Sequence, residues 1–107
     1  MIYKENIFTQ IANKEISVPV VYENEEVLIF PDKNPQAPTH LLCIPKKSYV
    51  DYLDYLKRAS LIEQEKMEEA ILSVVEKYQM QNSKIIINQG KEAGQIIFHF
   101  HVHLLSY

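Results

Sequence analysis

The chain has 107 residues, with 47% apolar residues, 23% charged residues and a net charge of -3. That length fits one domain with a modest core, spanning residues 1–107. The slight acidity removes a nucleic-acid duplex from the expected partners, and no apolar run approaches the roughly 20 residues that cross a bilayer. The N-terminus, M-I-Y-K-E-N-I-F, has no long apolar leader segment, so cytoplasmic residence is the expectation. The one cysteine, Cys43, builds no disulfide within the chain and reads as a small buried residue.

In chain order, Ile7, Phe8 and Ile11 recur at helical spacing and predict a short amphipathic helix over 4–13. The runs V-P-V-V-Y and V-L-I-F, linked by Glu23-Asn24-Glu25-Glu26, predict an antiparallel hairpin with Pro19 at an edge or strand start. P-D-K-N-P-Q-A-P holds three of the five prolines and predicts a fixed, non-helical loop. L-L-C-I predicts a strand buried on both faces and closed by Pro45. A short helical stretch is expected over 51–58. Ser60 and Glu63 form a capping-box pattern that opens the longest helix. Its stripe runs through Met67, Ala70, Ile71, Val74, Val75 and Tyr78. I-I-I-N predicts a strand ending at Asn88. The following loop carries both glycines, Gly90 and Gly94, and reads either as a hairpin loop or as one against which a ligand packs. The last strand is predicted from Ile96 to about Leu105. The elements predict an α+β fold, an antiparallel sheet of about five strands with a long helix on one face.

Three of the four histidines lie in H-F-H-V-H. On a strand, His99, His101 and His103 share one face while Phe100, Val102 and Leu104 take the other. Three readings compete. One is a polar strand face. Another is a metal site, which needs His40 or a carboxylate as well, because the outer Cα atoms stand about 13 Å apart. The third is phosphate chemistry, with a neutral imidazole as nucleophile and its neighbours as donors.

H-F-H-V-H-L-L resembles the histidine triad signature, His-φ-His-φ-His-φ-φ with φ apolar, at every position. P-Q-A-P-T-H-L-L-C-I-P-K-K, I-N-Q-G-K-E-A-G-Q and N-I-F-T-Q-I-A-N-K-E-I resemble further segments of the nucleotide-binding branch of the histidine triad (HIT) family. The resemblance covers nearly the whole chain. It implies a HIT-like five-stranded antiparallel sheet with one long and one short helix. It also implies hydrolysis of purine nucleoside 5′-phosphoramidates through a nucleotidyl-histidine intermediate. The sister activity, dinucleoside polyphosphate hydrolysis, shares the triad, and a non-catalytic nucleotide-binding or scaffold protein is the other alternative.

By position the resemblance makes His101 the nucleophile, with His103 on the phosphate and leaving group and His99 and His40 completing the network. Asn88 and the backbone of Gly94 and Gln95 would border the phosphate. Asp32 would accept from ribose hydroxyls, although it could equally serve as a turn residue. Ile7, Phe8, Ile11, Phe30, Leu42 and Ile97 would form the cleft for the base. The partners implied are a purine nucleotide or its AMP-like product and a second copy of the chain, in a homodimer. No cofactor is implied. Zinc ligands found in some relatives correspond to Asn6, Thr9, Ser48 and His99, so no metal is expected. Ile96 stands where many relatives have a phosphate-supporting Ser or Thr, Lys33 where an apolar base contact is usual, and Ser106-Tyr107 where Gly-Gly-Arg is usual. Neutral imidazole must attack, so activity is expected to fall below about pH 6.5.

Overall fold

In the computed structural model, residues 6–107 are described. Helix α1 (Ile7–Ala12) is only six residues long, so packing rather than propensity sustains it. Asn6 caps it by accepting the Thr9 N–H at 2.9 Å. Lys4 and Glu5, the first residues of the predicted helix, lie outside the described residues.

Strands β1 (Tyr22–Glu23), β2 (Val27–Pro31), β3 (Thr39–Pro45), β4 (Ser83–Ile86) and β5 (Val102–Ser106) form one antiparallel sheet in the order β1-β2-β3-β5-β4. Helices α2 (Tyr52–Arg58) and α3 (Leu61–Lys77) connect β3 to β4. The α+β class and the five-stranded sheet are as expected, with two short helices beside the long one. The capping box forms in full, through Glu63 N–H to Ser60 Oγ and Ser60 N–H to Glu63 Oε2, both at 3.1 Å.

β2 and β3 are buried on both faces. Val27, Ile29, Leu41 and Cys43 join Met67, Ala70 and Val74 of α3 in the larger core. Leu28, Phe30, Leu42 and Ile44 meet Phe8, Ile11 and Ala12 of α1 in a smaller one. The sheet face that carries the histidines is therefore half covered by α1 rather than open.

Four boundaries differ from expectation. The first strand of the hairpin is two residues long, because Pro19 cannot donate and Asn24 folds the turn by accepting from Glu26 and Val27 N–H, both at 2.9 Å. The α3 stripe stops before Tyr78, which is the C-cap and exposed; Gln79 follows at φ +54. β4 ends at Ile86, so Asn88 leaves the sheet. Ladder pairing of the last strand starts at Val102 rather than Ile96. Alternation continues upstream, since Phe100, Val102 and Leu104 all enter the α3-side core. Pairing does not, because Pro45 has no N–H and its carbonyl accepts from the His99 ring at 2.8 Å. Phe100 N–H instead donates to Tyr49 O at 2.7 Å.

No helix among the described residues is long and apolar enough to cross a membrane.

Candidate active site

The register of β3 and β5 sets Leu42 opposite His103 and His40 opposite Leu105. His40 and His103 are thus diagonal neighbours on one face, close enough for long side chains to meet. Their rings meet through His40 Nε2 and His103 Nδ1 at 3.0 Å. Asp32, just past β2, places Oδ2 3.3 Å from His40 Nε2 and 4.0 Å from His103 Nδ1. Its Oδ1 accepts the Asn34 N–H at 2.8 Å, so Asp32 is a turn residue and a site residue at once.

The hydrogen bonds assign the ring protons. Gln36 N–H donates to His40 Nδ1 at 3.0 Å, so neutral His40 carries its proton on Nε2. That proton points to His103 Nδ1, which must accept, so the His103 proton sits on Nε2. His101 Nδ1–H donates to the carbonyl of His99 at 2.8 Å, which leaves Nε2 as its unprotonated nitrogen. His99 Nε2–H donates to Pro45 O, and its Nδ1 lies 3.0 Å from the Thr9 hydroxyl, which also stands 3.0 Å from Asn6 Oδ1, a second acceptor.

The resulting set is one ring with a free lone pair, His101, beside one with a free N–H, His103. Their centroids are 5.1 Å apart. Burial pushes the His101 pKa below the usual histidine value, although the bond to His99 O and the charge of Asp32 oppose it. Burial, then the neighbouring His101 and His40, push His103 down to about 4 against the pull of Asp32. His99 is lowered by burial. His99, His101 and His103 are therefore neutral at pH 7, and the fall in activity belongs below the pH 6.5 expected from sequence.

A cavity of about 710 Å³ opens over these rings. It is lined by His40, His101, His103, Asp32, Asn88 and Gly94, and by Ile7, Phe8, Ile11, Phe30, Leu42 and Ile97. Twelve of the residues singled out from sequence therefore share one space. Phe8, Ile11, Phe30 and Leu42 are also core residues, each less than a tenth exposed.

Two residues singled out from sequence do not line the cavity. His99 is fully buried behind the site. Gln95 gives its N–H to Gly90 O at 3.0 Å. Its side chain accepts from Gly90 N–H and donates to the carbonyls of Val50 and Ile97, which closes the loop. Gly94 N–H is likewise given to Lys91 O, and Gly94 at φ +102 approaches the Asn88 side chain. Sequence reasoning missed Gln36, which acts through its backbone and so leaves no side-chain signal. It also passed over Thr9 except as a lost zinc position.

The sequence profile described as "Scavenger mRNA decapping enzyme C-term binding" matches residues 5–107. An uncharacterized HIT-like protein of Rickettsia prowazekii is 36% identical over 108 residues, covering 99% of this chain and 90% of the relative. The chain belongs to the HIT family. A solved HIT-like protein is 37% identical with a TM-score of 0.85, covering 96% of this chain and 99% of that one. A HIT family hydrolase from Clostridium thermocellum is 31% identical with a TM-score of 0.79, covering 94% and 89%. A maize relative, 37% identical over 114 residues and covering 94% and 80%, is described as a 14 kDa zinc-binding protein.

The positions that the sequence resemblance matches to zinc ligands do not fit the metal here. Asn6, Thr9 and Ser48 supply no sulfur or imidazole, and both nitrogens of His99 are already bonded. Asp32, His40 and His103 also bring three ligand atoms within 4.8 Å of one another. A metal on His40 Nε2 would force the proton onto Nδ1, where Gln36 N–H already points. Metal-bound imidazoles donate from the second nitrogen, and this one accepts. The cluster is a hydrogen-bond relay rather than a ligand set.

Proposed function

We propose that the chain is a nucleotide-binding hydrolase that cleaves purine nucleoside 5′-phosphoramidates. The observation that carries this reading is the paired tautomers: the lone pair of His101 Nε2 and the N–H of His103 Nε2, in rings that line one cavity. His101 Nε2 attacks the α-phosphorus while Nδ1–H stays on His99 O. The P–N bond breaks with its electron pair to the nitrogen, which enters the step already protonated and leaves as the neutral amine. His103 Nε2–H keeps its proton and hydrogen-bonds the phosphoryl oxygen as charge builds there, and the water of the second step releases the balancing proton. That water attacks the nucleotidyl-histidine, releases the nucleoside monophosphate and restores the imidazole. Asp32 Oδ2 is offered to the ribose, and the apolar wall from Ile7 to Ile97 to the base.

A second reading, nucleotide binding without turnover, draws on Ile96. It lies on the cavity's lip, 86% exposed, and offers no donor to the phosphate. The N–H groups of Gly94 and Gln95 are committed within their loop and do not replace it. One experiment separates the readings: incubation with adenosine phosphoramidate and with a dinucleoside polyphosphate, with AMP quantified for wild type and His101→Ala. AMP from the phosphoramidate, lost in the variant, supports the hydrolase. Faster release from the dinucleotide supports the sister activity, and tight AMP binding without product supports the scaffold.

The same proposal includes a homodimer. β4 is an edge strand with Ile85 exposed, and Leu53, Leu56, Leu61 and Leu72 expose apolar surface on α2 and α3. An unpaired edge beside apolar surface favours joining two sheets. Light scattering at micromolar concentration should give twice the chain mass; a monomeric mass sinks this part. Cytoplasmic residence accords with the single buried thiol of Cys43.

A further inference from the structure

Two buried polar residues near the site are explained by neither substrate contact nor the sheet. Thr9, on α1, and His99, in the unpaired stretch before β5, bond to each other across ninety positions of sequence. Both are buried, at 8% and 0% exposure. The catalytic cavity touches neither side chain.

Their bonds form a connected network. Asn6 Oδ1 accepts Thr9 N–H at 2.9 Å and holds the start of α1. The Thr9 hydroxyl stands 3.0 Å from His99 Nδ1 and 3.0 Å from Asn6 Oδ1, so its one proton serves two acceptors. His99 Nε2–H donates to Pro45 O at 2.8 Å. The ring is thereby held at both nitrogens between α1 and the end of β3. The backbone of the same residue supplies the carbonyl that receives His101 Nδ1–H at 2.8 Å. That last bond keeps the proton off Nε2, the atom that must attack. The neighbour of Thr9 on α1, Phe8, sets its ring edge-to-face against His101 with centroids 4.9 Å apart.

We propose that Thr9 is a positioning residue for His101: its hydroxyl, acting through the side chain of His99, holds the carbonyl that fixes the tautomer and aim of the attacking ring. The inference rests on His101 being the nucleophile. Without the hydroxyl, His99 Nδ1 has no partner. The imidazole can then rotate or exchange its proton between nitrogens, and the segment that carries the His99 carbonyl loses one of its two side-chain anchors. Misplacement of a nucleophile by a fraction of an ångström lowers the rate without weakening binding.

The test compares Thr9→Val, which keeps the shape and removes the hydroxyl, with Thr9→Ser, which restores the hydroxyl in a smaller side chain. Steady-state rates on adenosine phosphoramidate are measured for both, with ¹⁵N spectra of the histidine rings without substrate. In Thr9→Val, kcat should fall about tenfold with KM within about twofold. In Thr9→Ser, kcat should stay within about threefold of wild type. The spectra of Thr9→Val should show His99 Nδ1 losing its hydrogen-bonded acceptor signature and His101 moving from the Nδ1–H form toward a mixture. Wild-type kcat in Thr9→Val, an equal loss in Thr9→Ser, or an unchanged His101 tautomer in Thr9→Val would overturn the proposal. If the wild type releases no AMP from the phosphoramidate, the hydrolase reading falls. The spectra still decide whether Thr9 controls the His101 ring.

Discussion

The two faces of the sheet are built from the same strands and come out as different materials. Val27, Ile29, Leu41, Cys43, Phe100, Val102 and Leu104 point to α3 and form a core without a polar side chain of their own. One position along, Leu28, Phe30, Leu42 and Ile44 give way to His40, His101 and His103 under α1. The six residues of α1 cover part of the second face, and the space left beyond them is the cavity. Period-2 alternation thus assigns stability to one face and chemistry to the other, and the rigid face holds the backbone from which the rings project.

If that division is right, substitutions on the two faces should fail differently. The largest effect is expected for His101→Ala. Turnover of adenosine phosphoramidate should drop at least about a thousandfold, as loss of a nucleophile does. AMP affinity by calorimetry should stay within about tenfold, because the base and ribose contacts lie elsewhere in the cavity. Leu104, fully buried, is the counterpart on the α3 face. Leu104→Ala should destabilise the fold by about 3 kcal/mol in denaturant unfolding and leave turnover per folded molecule within about twofold. A Leu104→Ala protein that stays stable but loses its rate would break the division between faces.

Acid should separate the faces more finely. On the cavity face, folded His99, His101 and His103 have lowered pKa values, His103 about 4, against about 6.5 unfolded. The unfolded chain then binds more protons, so their contribution is present above pH 6.5 and is lost as pH falls toward the folded values. On the α3 face, burial pushes the Glu63 carboxyl up, but hydrogen bonds from Tyr49, Ser60 and Lys47 outweigh it and hold it at about 2. Its contribution is present above about pH 4.5 and is lost as pH falls toward 2. Unfolding free energy measured against pH should show both windows, the upper one shallower in His103→Gln and the lower one in Glu63→Gln. The smallest effect is kinetic. The acid limb of kcat/KM should lie below pH 6.5, since it reports His101 of the free protein. A midpoint at or above 6.5 would mean that the ring is less buried in solution than here.

The local elements were legible because their causes are local. Ser60 and Glu63 cap α3 through atoms three residues apart, and the alternation of 99–105 sets faces wherever the chain is extended. The resemblance of the histidine run and its upstream segments to the HIT pattern brought the site residues to attention before any of them had a place. Which of them meet was a tertiary matter. Pro45 ends the ladder because its carbonyl is taken by His99, a residue 54 positions away. Gln95 carries a side chain suited to a phosphate, and the fold turns it into the lock of its own loop. The ring protons of His40 depend on one backbone N–H of Gln36, which has no residue-type signature. Periodicity and caps are properties of neighbours in sequence, so the sequence by itself determined the helices, the approximate places of the strands and the shared face of His99, His101 and His103. Tautomer, burial and pKa are properties of neighbours in space, so only the packed sheet, α1 and the proline loop together decided which imidazole presents a lone pair to the cavity and which an N–H.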